Sequence, residues 1–260
     1  MIQQQKRRAK ASGVAKLVFK YGRRQMSRAV LLLMLLPAMG SCIEIFPSYR
    51  YRLTVVVDTP EGVRQGSTVI EVDTHTEPLP GPHIQRGAVG EAAVIDLGRR
   101  GLLFALPRGD TDLDWASQVY TYLNPPPPKG LSVAEVAAYS VNAAQNSKAE
   151  IKLPRYFTTS DPHLRPSGYP LLVRFRDPSD YRTLERVDPD NLSATFGIGV
   201  RLQKVTVQIT KADRVRRVIR YLPWLPKVKG PFDKDYMKVL PNGEFRNNLS
   251  SPDFDPEIQP

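Results

Sequence analysis

The chain is poor in the residues that build disulfides, metal centres and phosphate loops. It has one cysteine, Cys42, so an intramolecular disulfide and a cysteine-based zinc site are excluded. Three histidines, at positions 75, 83 and 163, are too few and too scattered to predict a metal site. Gly197-Ile-Gly199 lacks the third glycine of a dinucleotide loop and leads into a predicted strand. The sequence therefore predicts no cofactor.

Net charge is also scarce outside the N-terminal segment. The formal net charge is +11, but residues 1–41 hold nine lysines and arginines and no acid, which leaves 28 cations and 26 acids in the rest of the chain. A protein that binds phosphate backbones carries a basic surface on its folded part. We therefore expect no nucleic-acid partner.

Residues 1–41 have the three-part layout of an export signal. Basic residues come first, the apolar run Ala29–Leu36 follows, and the small residues Gly40 and Ser41 come last. The apolar stretch from Ala29 to Ile43 has about 15 residues, which is shorter than the ~20 that a spanning helix needs. We expect residues 1–41 to be a leader that is removed.

The end of this leader resembles the lipobox of bacterial lipoproteins. The residues are Pro37-Ala-Met-Gly-Ser-Cys42, with Met39 where leucine is usual. The resemblance implies cleavage between Ser41 and Cys42, and a Cys42 that carries diacylglycerol and an N-linked acyl chain. Several acyl chains give a stable anchor in a membrane. In a Gram-negative cell, Ile43 after the cysteine implies the outer membrane rather than the inner one.

Alternatives to this leader stay open. An uncleaved signal anchor would hold the protein in the inner membrane with Cys42 as a bystander, and a cytosolic protein would have to hide the apolar run in a core. Translation from Met26 would give a shorter basic start. Residues 22–26 also resemble a twin-arginine signal, which would imply folding before export.

Strand patterns dominate the rest of the chain. Residues 49–58 alternate between apolar and polar, and residues 67–73 fit a partner strand joined by a loop of several residues. A second hairpin is predicted from residues 92–97 and 102–106, whose apolar runs favour central strands covered on both faces. Further strands are predicted at residues 151–153, 171–175, 182–187 and 200–210.

Helical patterns are fewer. They cover residues 112–123, residues 133–145 behind a capping box of Ser132 and Glu135, and a short stretch around Val218. The predicted fold class is α+β, a mainly antiparallel sheet built from hairpins with two or three short helices. We expect a junction at residues 42–46, one domain over residues 47–228, and a C-terminal tail at 229–260 that is ordered only where it docks.

Two motifs suggest chemistry only weakly. Asp110, Asp112 and Asp114 are spaced like the start of a calcium loop, but the required glycine and glutamate are missing, and acids before a helix are favoured by its dipole. His75 and His163 lie near aspartates, but no serine has the setting of a hydrolase nucleophile. We expect a protein that is not an enzyme, with an envelope hydrolase as the alternative.

A basic segment near the C terminus has two interpretations. Its key residues are Arg216, Arg217, Arg220 and Trp224, interleaved with apolar residues. They would form either a helix on a membrane surface or a helix that packs its apolar face on the sheet.

The region from Tyr169 to Leu225 resembles a group of uncharacterised alphaproteobacterial proteins. The motifs are Tyr-Pro-Leu-Leu-Val-Arg-Phe-Arg-Asp-Pro, Glu-Arg-Val-Asp-Pro-Asp-Asn-Leu, Phe-Gly-Ile-Gly-Val-Arg-Leu and Leu-Pro-Trp-Leu. Residues 51–72 share the resemblance, which implies a Gram-negative setting and no particular activity. The sequence thus favours an envelope lipoprotein that binds an envelope protein or polymer, or has a structural role, with membrane lipid as the partner of acylated Cys42.

Overall fold

The computed structural model describes residues 43–110, 112–159, 161, 163, 165–232 and 249–258. The predicted leader, which ends at Ser41, and the predicted lipid-bearing Cys42 lie outside these residues. One compact unit spans Ile43–Pro260. Within its described part, no helix is long and apolar enough to cross a membrane.

A five-stranded antiparallel sheet forms the larger layer. Its strands run in the order β3-β2-β1-β9-β6. Their bounds are Ile45–Thr59 for β1, Gly62–Glu77 for β2, His83–Val89 for β3, Ile151–Lys152 for β6 and Arg201–Ile209 for β9. β3 was not predicted, because a proline-rich loop precedes it and its residues are only half-buried.

A four-stranded antiparallel sheet forms the second layer, in the order β4-β5-β7-β8. The strands are β4 (Ala93–Asp96), β5 (Leu102–Ala105), β7 (Leu172–Phe175) and β8 (Leu184–Arg186). The predicted hairpin of β4 and β5 is confirmed, with Gly98 and Gly101 at φ 65° and 97° in its turn. β5 is central as expected, whereas β4 is the edge strand of its sheet.

Four α-helices lie in the described residues, against the two or three expected. They are α1 (Trp115–Leu123), α2 (Val133–Asn146), α3 (Leu192–Phe196) and α4 (Val218–Tyr221). The capping box of Ser132 and Glu135 at the start of α2 is confirmed. The predicted fold class, α+β with mainly antiparallel strands, is confirmed as well.

The hairpin of β1 and β2 is longer and tighter than predicted. Thr59 pairs with Gly62, so only Pro60 and Glu61 form its turn, not a loop of several residues. The strands extend past the alternating pattern because main-chain pairing does not need apolar side chains. Gly62, at φ 119°, allows the chain to turn at this point.

Two hydrophobic clusters lie on opposite faces of the four-stranded sheet. Leu103, Ala105 and Leu172 belong to the cluster shared with the larger sheet and α1. Phe104 and Val173 belong to the second cluster, on the other face. This alternation confirms that the apolar run of β5 is covered on both sides.

The C-terminal segment completes the second cluster. Phe232, Leu249, Phe254 and Ile258 are all buried in it. Phe254 accepts a hydrogen bond of 2.7 Å from the backbone N–H of Ala92 through its carbonyl. The sequence predicted order in this segment only where it docks, and residues 249–258 are docked.

Candidate functional site

A cleft of about 720 Å³ lies among the described residues. Residues from three stretches of the chain line it. The stretches are 109–122, 155–172 and 186–189, and each contributes only some of its residues. They come from the loop before α1, the loop before β7 and the end of β8. The cleft is therefore built from segments that are far apart in sequence.

One wall of the cleft is acidic, with Asp110, Asp112 and Asp114. The backbone fixes this wall: the Asp112 carbonyl accepts the Gly109 N–H at 2.7 Å, and its Oδ1 accepts the Asp114 N–H at 3.0 Å. α1 begins directly after these acids, at Trp115, three residues later than predicted. However, Asp114 makes no side-chain hydrogen bond as the N-cap.

A second, basic part of the lining carries Arg155, Arg165 and Arg186. Arg186 forms an ion pair with Asp110. Arg155 binds Asp190 at 2.8 Å outside the cleft. Arg165 has no carboxylate partner within the described part of the chain, so its charge is open to a ligand.

Tyr156 supplies an aromatic surface between these arginines. The guanidinium carbons of Arg155 and Arg165 lie 4.5 and 5.0 Å from its ring centroid. Such cation–π contacts orient the charged groups without neutralising them. The Tyr156 residue remains 42% exposed. An aromatic face and a guanidinium are thus presented together.

A tight loop holds this wall in place. Tyr156 bridges to Ser167, and the Gly168 N–H donates to the Arg155 carbonyl at 3.0 Å. A Cβ on Gly168 would lie 1.9 Å from the Pro154 carbonyl oxygen, so this position requires glycine. The Trp115 indole N–H donates to the Ser167 carbonyl at 3.1 Å and ties the loop to α1.

The acidic wall is partly shielded from water. Burial raises the pKa of the Asp112 carboxyl above its ordinary value, and the charge of Asp114 adds to this effect. Burial, followed by the charge of Asp112, also raises the pKa of Tyr122. A carboxylate that is costly to desolvate and has no cationic partner indicates a place where a ligand cation would be stabilised.

A second hollow of about 250 Å³ adjoins the cleft. Tyr169 and Pro189 line both cavities. The second hollow continues along α3 and the start of β9, past Asp190 and Arg201. The two hollows together offer an elongated path rather than a closed pocket.

The histidines lie away from the cleft. His75 and His83 flank Glu77, at 3.3 and 3.5 Å from its carboxylate oxygens. His163 is exposed, and its backbone N–H donates to Asp161. No group of three or more His, Cys, Asp and Glu residues within the described ranges is arranged to hold a metal ion.

The basic segment forms only a single helical turn, α4, and Val215 is 46% exposed instead of belonging to a helix. Arg216 binds Asp255 at 2.6 Å. The backbone N–H of Arg217 donates to the buried carboxylate of Glu91. Arg220 is exposed.

Trp224 packs against the rings of Phe175, Tyr181 and Phe232, at centroid distances of 5.3 to 5.8 Å. Its indole N–H donates to the carbonyl of Pro178 at 2.6 Å. These contacts agree with the packing interpretation, because the Trp224 ring packs against the second cluster.

Sequence reasoning did not find the cleft. The three aspartates were noticed, but nothing in the sequence placed Arg155, Tyr156 or Arg165 in the same cleft. The only local signal was the density of proline, serine and arginine in residues 154–170.

Comparisons of the chain with protein-family models, with curated proteins and with solved structures gave no match.

Proposed function

We propose that this protein is a lipid-anchored envelope lipoprotein that binds an envelope polymer in the cleft and does not catalyse a reaction. Cys42 carries the lipid, and the folded part faces the periplasm, from the outer membrane in preference to the inner one. In support, the compact unit begins at Ile43, directly after Cys42. A leader that ends at Ser41 would therefore remove no part of this unit.

The observation that carries the binding role is the pairing of an acidic and a basic wall in one elongated cleft. Asp112 and Asp114 lack cationic partners among the described residues, and Arg165 lacks an acidic one. A polymer with ammonium and carboxylate groups would neutralise both walls at once. The adjoining hollow gives room for more than one unit of such a chain.

The cleft lining also favours binding over catalysis. The one serine in the lining, Ser167, donates to the Tyr169 carbonyl at 2.9 Å and accepts from Arg155 at 3.1 Å. No histidine belongs to the lining. A hydroxyl nucleophile needs a base within hydrogen-bond reach, which this serine lacks.

An envelope hydrolase is the second candidate. The raised pKa of Asp112 favours it, because glycoside hydrolysis uses a protonated carboxyl beside an ionised one. Asp112→Asn separates the two candidates. A binding protein would lose affinity for the polymer, because one of the two unpartnered carboxylates is removed, whereas a hydrolase would lose turnover while still holding the polymer.

Mass spectrometry of protein purified from its own membranes tests the anchor. We expect a mature N terminus at Cys42 with acyl chains attached. Cys42→Ala should stay unprocessed. An uncut peptide that covers Met39 to Glu44 would refute the lipoprotein and favour an inner-membrane signal anchor.

Co-sedimentation with isolated cell-wall polymer tests the cleft. Arg165→Ala should weaken binding by about 10- to 150-fold, since a charged hydrogen bond contributes about 1.5–3 kcal/mol. Arg220→Ala is the matched control, because Arg220 is an exposed arginine far from the cleft lining. Equal binding by both variants and the unchanged protein would rule out this cleft.

A further inference from the structure

We propose that Ile43, Ile45 and Leu79, which we call the apolar tip, insert into the surface of the membrane that carries the anchor. This inference rests on the proposed acylation of Cys42. It adds a second contact with the lipid, made by the folded domain itself. The domain would then keep one orientation relative to the bilayer instead of rotating freely about its anchor.

The apolar tip is exposed to an unusual degree. Ile43, Ile45 and Leu79 are 58%, 82% and 74% exposed. Scattered apolar residues on a surface are ordinary, but three large aliphatic side chains at one end of a sheet form a patch that favours a partner.

Strand register brings the three residues together. Ile45 pairs with His75 on β2, and the Glu44 backbone exchanges two hydrogen bonds with Thr76, of 3.1 and 2.9 Å. Ile43 precedes Glu44, and Thr76 is followed by Glu77, the last residue of β2. Leu79 follows two residues later, in the loop that leads to β3. The patch therefore lies at the end of the sheet where β1 begins.

Alternation places both isoleucines on the same side of β1. Side chains two residues apart in a strand share a face. The cross-strand neighbour of Ile45 is His75, and Glu77, two residues further along the same face of β2, pairs with His83 on β3. This polar rim, which also includes Asp73, suits the headgroup region above the apolar tip.

The short length of chain between Cys42 and Ile45 indicates what covers this patch. Consecutive Cα atoms are about 3.8 Å apart, so Ile45 lies within about 11 Å of Cys42. A diacylated Cys42 lies at the bilayer interface, which therefore comes within the reach of Ile43 and Ile45. Another protein at this place would have to displace the lipid to which the chain is tethered.

The opposite end of the hairpin provides a matched control. Val63 and Ile198 are also apolar and 60% and 91% exposed. Val63 pairs with Asp58 beside the β1–β2 turn, and the neighbour of Ile198, Gly199, approaches Pro60 in that turn. These residues lie at the far end of β1 from Cys42, so the anchor does not bring them near lipid.

Thiol labelling of the acylated protein tests the proposal. The chain has no cysteine besides Cys42, so Ile45→Cys and Leu79→Cys each give a single free thiol once Cys42 is acylated. The labelled mature proteins are placed in vesicles of phosphatidylethanolamine and phosphatidylglycerol. We expect a blue shift of a polarity-sensitive dye, and quenching by lipids brominated in the acyl chain, at positions 45 and 79 but not in Val63→Cys or Ile198→Cys.

Three outcomes overturn the proposal. Water-exposed dyes at positions 45 and 79, in protein whose Cys42 is shown by mass spectrometry to be acylated, would refute the apolar tip and leave the lipoprotein intact. Quenching at positions 63 and 198 instead would assign the membrane contact to the opposite end. A free Cys42, which would take up the dye in the unchanged protein, would remove both the anchor and the tip.

A combined variant checks the energetic role. Ile43→Ser/Ile45→Ser/Leu79→Ser should leave vesicles for acceptor vesicles roughly tenfold faster or more, because each aliphatic side chain adds to partitioning. Val63→Ser/Ile198→Ser should leave at the unchanged rate. Equal rates for all three proteins would contradict insertion.

Discussion

The guanidinium of Arg108 donates a hydrogen bond of 2.5 Å to the carboxylate of Asp253, 145 residues further along the chain. The side chains are only 9% and 17% exposed. Asp253 also accepts the backbone N–H of Ser250 at 2.7 Å. One carboxylate thus closes the C-terminal turn and attaches it to the end of β5, beside the cleft.

Removal of the charge from Asp253 should destabilise the whole domain. We expect Asp253→Asn to lower the free energy of unfolding by about 3 kcal/mol, because the charge of a buried arginine then lies against a neutral amide instead of a carboxylate. Urea denaturation measures this loss. Asp213→Asn is the control, since Asp213 pairs with Arg50 but is 92% exposed, and it should change stability little. Equal losses in the free energy of unfolding of the two variants would mean that the burial of an ion pair does not change its contribution to stability.

Gly66 should tolerate no side chain. A Cβ there would lie 2.1 Å from the Val94 carbonyl oxygen, where β2 and β4 cross. We expect Gly66→Ala to cost about 1–3 kcal/mol or more, since the backbone must move. Gly81→Ala, which has nothing within 4 Å, should be nearly neutral. A stable Gly66→Ala protein would show that the two strands are further apart than described.

Glu61 should give the protein a stability that depends on acid pH. Hydrogen bonds from Arg100, then Arg99, lower the pKa of Glu61 to about 2. The stabilisation is therefore complete above the unfolded-state pKa of about 4.3 and is lost as the pH falls toward about 2. We expect Glu61→Gln to be less stable than the unchanged protein at neutral pH and equal to it near pH 2, in urea titrations at a series of pH values.

Glu44→Gln provides the comparison for that series. The Glu44 side chain forms no ion pair with any described residue, so Glu44→Gln should change the free energy of unfolding little at neutral pH. A difference between Glu61→Gln and the unchanged protein that does not vary with pH would show that the two arginines do not stabilise the turn.

Asp112 should make the stability of the protein depend on pH in the opposite direction. Burial raises its pKa, so ionisation costs stability, and the favourable neutral form is lost as the pH rises through the raised pKa. We expect Asp112→Asn to be more stable than the unchanged protein at neutral pH and similar to it in acid. The asparagine oxygen can still accept the Asp114 N–H. A less stable variant at neutral pH would assign the carboxylate a structural role instead of a binding one.

Trp224 distinguishes packing from membrane contact in the basic segment. Trp224→Ala should lower the free energy of unfolding by about 2–3 kcal/mol, below the usual range for a fully buried tryptophan. Vesicle association should not change, since the ring faces Phe175 and Phe232. Unchanged stability together with lost vesicle association would restore the membrane-surface interpretation. Arg220→Ala, measured in parallel, should affect neither quantity.

The sequence predicted those parts of the fold whose signals are local. The capping box of Ser132 and Glu135 and the glycines of the β4–β5 turn each lie within a few residues, so the pattern is complete in the chain itself. β3 was not predicted, because its residues are half-buried and do not alternate between apolar and polar. α3 was not predicted, because a helix of five residues is too short to show a helical period in the sequence.

The cleft depends on contacts that no local pattern contains. Asp112 and Arg165 are brought into one cleft by the pairing of β5 with β7 and by the loop that Gly168 closes. Trp115 was predicted on a helix, yet its bond to Ser167 follows only from tertiary packing. Spacing alone therefore indicated three acids before a helix and not a site with two charged walls.

The first strand has a mechanical consequence. β1 has 15 residues and lies between β2 and β9, bonded along most of its length to both. Tension between an N-terminal tether and a cell-wall ligand would pull β1 along its own axis. The two ladders would then have to rupture together in shear instead of opening one bond at a time. Single-molecule pulling from Ile43 should accordingly show one high-force event, and a gradual release would argue against this load path.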